Sequence, residues 1–437
     1  MMNQLLYVIT EWQNQILNTS GIVRSYETRL IKAAGSKPIK IITGFRRSGK
    51  SFLVQRLAHH LVKEKKYSLK NILYLNFEDF RLASINNPEK LNDLYKTFRN
   101  QIADSCNKLL VFDEIQKVCD WDKFIRTIYE KDNDIEIILT GSNSELLSAE
   151  IGSNLAGRFI EFFILPFSLS EILLYQEITI QSQIDYLHHK DYIEKQFYSY
   201  IKFGGLPEIL TIDEGQSRYS YLEGILNKVI LDDIIERFKI KHPAIIEKII
   251  YYLFAAIGNN ISFTKIANYL RELGINLKPE TIINYTDHIL KTFALYETTK
   301  FDWKIGKIFS TSRKYYAVDT GIAHLNPVTV SNFSKQLENA VFLKLRRHYK
   351  TIHFGALASG KEIDFIVQDK PGHFTKLQIC KTLHEKNSQR ELSPFSLADT
   401  YLQGDNILLT LDEEEKELKF KGVTIMKKNL IKWLLDC

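Results

Sequence analysis

Residues 39–51, IKIITGFRRSGKS, constrain the fold more than any other stretch. A β-branched run, 39–43, stops at Gly44, and the segment SFLVQRLAHHLVKEK follows with apolar residues at helical spacing. This is strand, glycine loop, helix. The loop Gly44-Phe45-Arg46-Arg47-Ser48-Gly49-Lys50-Ser51 fits G-x-x-x-x-G-K-[ST]. Glycines at this spacing let backbone N–H groups close around phosphate oxygens, and the dipole of the opening helix favours the anion. Lys50 can reach the β- and γ-phosphates, and the Ser51 hydroxyl can ligate Mg²⁺. All eight loop residues are therefore expected at a nucleotide, with ATP and Mg²⁺ as cofactors. Arg46 and Arg47 fill variable positions, where they either hold phosphate or face solvent.

Three further apolar runs end in polar residues: NILYLNFED (71–79), KLLVFDEIQ (108–116) and IEIILTGSNS (135–144). Helical segments separate them. Near-continuous apolar strands alternating with helices predict a parallel sheet covered on both faces. Asp113 and Glu114 end the second run, some sixty residues after the loop. Asp113 is expected in the Mg²⁺ shell and Glu114 as the group that orients and polarises the attacking water. Ser142 or Asn143 could touch the γ-phosphate or that water; each could equally cap the following helix. Arg158, in NLAGRFIEFF, could stabilise transition-state charge as a finger, in cis or from a neighbouring subunit, or be a surface arginine.

The chain of 437 residues predicts two or three domains, and its net charge of +6 permits nucleic-acid contact without demanding it. Cys106, Cys119, Cys380 and Cys437 lack metal-ligand spacing and read as reduced thiols. The N-terminus reads as an amphipathic helix interrupted by Glu11, Gln13 and Asn14, without the basic start of a signal peptide. No run is long enough to span a bilayer. A cytoplasmic protein is expected, with no membrane partner.

The motifs GFRRSGKS, YLNFED, FDEIQ, LTGSNS, LAGR and LPFSLSEIL, in this order, resemble a prokaryotic AAA-type (AAA+) ATPase family with a C-terminal domain of unknown function 4143. FGGLPEIL (203–210), YYAVDTGIAHL (315–325) and ENAVFLKLRR (338–347) are similar to its later landmarks. The resemblance covers nearly the whole chain. It implies an AAA+ fold, ATP hydrolysis and nucleotide-driven conformational change, and it names no substrate. Lys50, Ser51, Asp113 and Glu114 match its motifs position for position, Ser142-Asn143 matches its sensor segment, and Arg158 its Gly-Arg.

Downstream the patterning changes. The expected architecture is α/β, a P-loop NTPase domain with a parallel sheet (1–167), a helical lid or linker (168–242), a winged-helix-like domain (243–327) and a degenerate nuclease-like α/β domain (328–437). In the middle segment SFTKIANYL and KPETIINYTDHILKTF resemble the second and recognition helices, and 295–318 the wing. Lys304, Lys307, Arg313 and Lys314 on that hairpin suit contact with double-stranded DNA; a protein-interaction module would carry a similar solvated hairpin. The last segment looks like a restriction-endonuclease core, with Glu338 opening a helix and Asp364 in KEIDFIV. An active core carries Glu-x-Lys on the next strand, where Gln378 and Cys380 stand instead. Amide and thiol cannot replace carboxylate and ammonium, and Lys381 points to the other strand face. Glu338 and Asp364 then become surface acids or structural ion pairs. Three functions follow: an ATPase moving parts on DNA or a protein client; a slow-turnover switch that assembles with ATP, for instance as a homo-oligomer; and an ATP-gated nuclease, which Gln378 and Cys380 oppose.

Overall fold

The computed structural model describes residues 2–142, 155–213, 215–240, 242–301, 312–326, 332–357 and 360–436. They form two compact units, 1–165 and 166–437.

In the first unit, helices α1 (Met2–Leu17), α2 (Glu27–Ala33), α3 (Lys50–Lys63), α4 (Pro88–Gln101) and α5 (Trp121–Lys131) cover strands β1 (Ile39–Thr43), β2 (Ile72–Asn76), β3 (Lys108–Asp113), β4 (Ile135–Gly141) and β5 (Phe159–Phe163). The sheet order is β2-β3-β4-β1-β5, and every pairing is parallel. Alternate side chains leave opposite faces. Leu73, Leu75, Leu110, Phe112, Ile137 and Leu139 pack with α4 and α5. Ile72, Tyr74, Leu109, Val111 and Ile138 pack with α2 and α3. Both faces are dry, which is why these strands read as unbroken apolar runs. The helix α1 is continuous through Glu11, Gln13 and Asn14, contrary to the interruption expected there. Gln13 is buried, and its amide donates to the Ile72 carbonyl at the sheet, 2.8 Å away.

The order places β4 between β1 and β3, so the carboxyl ends of β1 and β3 flank a crevice. At the end of β1, a Cβ on Gly44 would lie 2.1 Å from the Ile164 carbonyl oxygen. Glycine here lets the chain after β5 pass close, in addition to serving the loop.

The second unit begins with helices and ends in a mixed eight-stranded sheet among the described residues. Its strands are β6 (Leu295–Lys300), β7 (Arg313–Ala317), β8 (His353–Ala356), β9 (Glu362–Lys370), β10 (His373–Ile379), β11 (Asn406–Thr410), β12 (Lys416–Phe420) and β13 (Val423–Asn429). Their order is β12-β13-β11-β10-β9-β8-β6-β7. The hairpin strands β6 and β7 are thus the edge of the C-terminal sheet, joined to it by the parallel β6–β8 pair, Thr299 opposite His353. They do not stand apart as a wing.

The later sequence landmarks interlock. The N–H of Phe167, in LPFSLSEIL, donates to the Gly205 carbonyl in FGGLPEIL at 2.6 Å. Asp319, in YYAVDTGIAHL, accepts from the N–H groups of Gly205 (2.7 Å), Gly321 (2.9 Å) and Ile322 (3.2 Å). Gly204 has φ +78°, and a Cβ there would meet the Asp319 carboxylate at 1.8 Å. In ENAVFLKLRR, the Asn339 amide brackets Ala317, accepting from its N–H at 2.7 Å and donating to its carbonyl at 3.2 Å. Arg347 pairs with Glu171 at 3.4 Å and donates to the Pro166 carbonyl. Four sequence-distant motifs are one clamp, held by backbone groups that would otherwise be buried without partners.

Candidate nucleotide site

The phosphate loop joins β1 to α3 as expected, with Gly49 at φ +90° immediately before the helix. Phe45 and Ser48 are fully buried, which anchors the loop's underside. Lys50 folds back over it. Its ammonium donates to the Phe45 carbonyl at 3.0 Å and lies 3.8 Å from Glu114 Oε1. Burial lowers its pKa, and Glu114 and Asp113 oppose that shift.

Asp113 closes the opposite side, fully buried at the end of β3. Ser51 Oγ donates to its Oδ1 at 3.0 Å, Thr140 Oγ1 donates to the same oxygen, and the Tyr74 hydroxyl donates to Oδ2 at 2.8 Å. Burial, then the neighbouring Glu114, push its pKa up; the three hydroxyl donors pull it back. A hydroxyl and a carboxylate oxygen set 3.0 Å apart are the hard oxygen donors that would hold a Mg²⁺ ion.

Glu114 has left-handed backbone geometry, φ 55° and ψ 43°, and its N–H donates to Thr140 Oγ1 at 3.1 Å. Its two carboxylate oxygens differ. Oε2 accepts from Gln116 Nε2 (2.5 Å), Ser142 Oγ (3.1 Å) and the Ser142 N–H (3.3 Å), while Oε1 faces the Lys50 ammonium. Lys50, Ser51, Asp113, Glu114 and Ser142 are therefore brought together. Asn143 lies outside the described residues. Arg46 pairs with Glu78 at 3.4 Å rather than facing solvent alone; Arg47 is exposed, with φ 65°.

Arg158 is elsewhere. Its carbonyl accepts from Ile39 N at the start of β1, whereas the loop leaves the far end of that strand. Five residues of strand separate the two ends by roughly 16 Å. The cis reading of Arg158 fails on this distance. Its guanidinium pairs with Glu130 at 3.1 Å.

Several participants were not read from the sequence. Arg24 is buried and donates to the carbonyls of Ser48 (3.0 Å) and Leu165 (2.8 Å), tying the loop to the end of the unit. Tyr74, Thr140, Gln116 and Glu78 complete the shell. Tyr74 and Arg24 carry no local signal, since their partners are 39 and 24 or more residues away. Gln116 sits two residues from Glu114 in FDEIQ and could have been found there.

The second candidate, the nuclease-like core, holds a closed charge cluster. Glu338 and Asp364 are buried. Glu338 pairs with Lys335 at 2.6 Å and Lys314 at 3.7 Å and accepts from the Tyr316 hydroxyl at 2.7 Å. Lys314 also pairs with Glu362. Lys314 is only 1% exposed, so it is a core ion and not the surface DNA contact expected of it. Arg313 pairs with Glu297 at 2.8 Å; Lys304 and Lys307 lie outside the described residues. Asp364 Oδ2 accepts from the Ile379 N–H at 2.8 Å, and burial, then Glu338, push its pKa up to about 7. Burial pushes the Cys380 thiol up to about 12.

A family model described as an AAA domain matches residues 36–173, and one described as a domain of unknown function, DUF8612, matches 194–336. Residues 36–173 are thus a domain of the AAA type. The second matched model is DUF8612, where the sequence resemblance led to 4143. An uncharacterized protein of Methanocaldococcus jannaschii, MJ1544, is 32% identical over 410 residues, 93% of this chain and 88% of that one. An uncharacterized protein of Haemophilus influenzae is 30% identical over 414 residues, 94% and 98% of the two chains. The chain belongs to the family of these two proteins. Among solved structures, the Walker-type ATPase PABY2304 of Pyrococcus abyssi is 18% identical, covering 69% of this chain and 95% of that one at a TM-score of 0.42. AMPPCP-bound DnaA of Aquifex aeolicus is 17% identical, covering 63% and 90% at 0.26. No described helix is long and apolar enough to cross a membrane.

Proposed function

We propose that residues 44–51 bind ATP with Mg²⁺ and that Glu114 activates water for hydrolysis. The observation that carries this is the convergence of Lys50, Ser51, Asp113 and Glu114 on one crevice, with Ser51 Oγ 3.0 Å from Asp113 and Lys50 3.8 Å from Glu114. The loop amides and Lys50 hold the β- and γ-phosphates. Ser51 and Asp113 would hold the ion, which when bound neutralises charge on the phosphate oxygens. Glu114 Oε1 takes the water proton, and Ser142 steadies the carboxylate. On sequence grounds Asn143 is proposed to contact the γ-phosphate or the water.

Arg158 at the opposite end of the sheet supports a finger in trans, reaching the loop of a neighbouring copy in a head-to-tail homo-oligomer. Hydrolysis would then drive conformational change on a client. Burial of Lys314 and pairing of Arg313 weaken the DNA reading and favour a protein client. The C-terminal core is proposed as catalytically inert, its acids neutralised by Lys314 and Lys335. A slow-turnover assembly switch is the alternative.

Calorimetric titration with a non-hydrolysable ATP analogue tests the site. Lys50→Ala should weaken binding by roughly two orders of magnitude, or ~3 kcal/mol, as charge-assisted phosphate contacts are lost. Unchanged affinity would sink the assignment. Turnover with and without duplex DNA, and mass by light scattering with and without ATP, separate the client and assembly readings.

A further inference from the structure

We infer that Gln116 is a positioning residue for ATP hydrolysis: it pins one oxygen of Glu114 so that the other is presented to the reacting water. The inference rests on the hydrolysis proposed above.

The asymmetry of the Glu114 carboxylate is the starting point. Every hydrogen bond described to it falls on Oε2, from Gln116 Nε2, Ser142 Oγ and the Ser142 N–H. An oxygen accepting three donors has its lone-pair directions spent and is a poor proton acceptor. Oε1 faces the Lys50 ammonium, the group that reaches the terminal phosphates. The basic oxygen is therefore the one on the nucleotide side.

Backbone geometry explains why Gln116 can do this. Glu114 at φ 55° turns the chain back on itself, and Ile115–Lys117 continue as one tight turn. A residue two places on then lies under the carboxylate. Left-handed geometry costs a non-glycine residue about 1–2 kcal/mol. The Thr140 hydroxyl, which accepts from the Glu114 N–H, helps to hold it. Strain of this kind gathers at functional sites.

The amide itself adds a second sign. Gln116 Oε1 is buried with no hydrogen-bond partner among the described residues, a state that costs about 1–3 kcal/mol. Reversing the amide would place its oxygen against Glu114 Oε2, acceptor against acceptor, so the donor assignment is fixed by the carboxylate. A glutamine serving only the core would satisfy both ends. This one satisfies the end that touches Glu114.

The test compares wild type and Gln116→Ala in two measurements, ATP turnover at saturation and affinity for a non-hydrolysable analogue. A carboxylate that loses its orientation by an ångström should slow turnover roughly 10- to 100-fold, with analogue affinity and melting temperature unchanged. In a Glu114→Gln background the same substitution should cause no further fall, because Gln116 acts only through Glu114. Gln116→Glu, which sets a like charge beside Glu114, should slow turnover at least as much and serves if the alanine variant fails to fold. Turnover equal to or above wild type in these variants overturns the inference. So does a parallel loss of analogue affinity, or losses that multiply in the double variant. Absence of turnover in the wild type would instead remove the hydrolysis reading, and this inference with it.

Discussion

Replacing Lys314 with methionine tests whether the nuclease-like centre is a self-neutralised core. The wild-type cluster sets two ammonium groups, Lys314 and Lys335, against Glu338, Glu362 and Asp364. Methionine keeps the side-chain length and apolar stem and removes only the charge. One cation then faces three acids, two of them buried. Breaking a buried ion pair from one side costs about 3–5 kcal/mol. For a unit of this size that lowers the melting temperature by roughly 5–9 °C. The loss should depend on pH. Asp364 titrates at about 7 in the folded unit against an ordinary 3.8, so the folded state binds its proton more tightly. Its contribution is full below the ordinary carboxylate range and is lost as pH rises through about 7. Lys314 is among the groups that lower this pKa, so Lys314→Met moves it further up and widens the deficit toward pH 8. Scanning calorimetry of both proteins at pH 5 and pH 8 measures this on the transition of the C-terminal unit. A deficit below about 1 kcal/mol at pH 8, or one equal at both pH values, would refute the reasoning.

Glu114→Gln should keep nucleotide bound while turnover falls by roughly 10²- to 10⁴-fold, since an amide cannot take the water proton; near-normal turnover in a coupled phosphate assay would make Glu114 structural. Asp319→Ala strips the acceptor from three buried N–H groups and should destabilise the C-terminal unit by about 3 kcal/mol or more in urea titration. A loss below that of a simple helix cap would mean water enters in its place. Purified protein should not nick plasmid DNA with Mg²⁺ or Mn²⁺, with or without ATP; nicking that disappears in Asp364→Ala would show a live centre.

The first unit was largely legible because its signals are local. A strand, a glycine loop and a helix are contiguous in 39–63, and Asp113-Glu114 and Ser142 each end an apolar run. Burial of both sheet faces makes those runs continuous, so the pattern reports the layer directly. The strand order and the shell around Asp113 were not legible. Tyr74 reaches Asp113 because β2 lies beside β3, and Thr140 because β4 does. Pairing of that kind is settled by which faces must be buried together.

The C-terminal half shows the reverse. Its sequence marked the landmarks FGGLPEIL, YYAVDTG and ENAVFLKLRR and the substitutions Gln378 and Cys380, but not what they touch. Lys314 reads as one more cation on a basic, aromatic hairpin. Only the pairing of β6 with β8 turns that hairpin into a sheet edge and buries its ammonium among carboxylates. Likewise the Gly-Arg of Arg158 is plain in the sequence, while the parallel register of β5 on β1 alone puts it a strand's length from its own loop. Chemistry carried by adjacent residues is written in the order of the chain. Distance between residues far apart is set by packing, through the requirement that every buried polar and charged group find a partner.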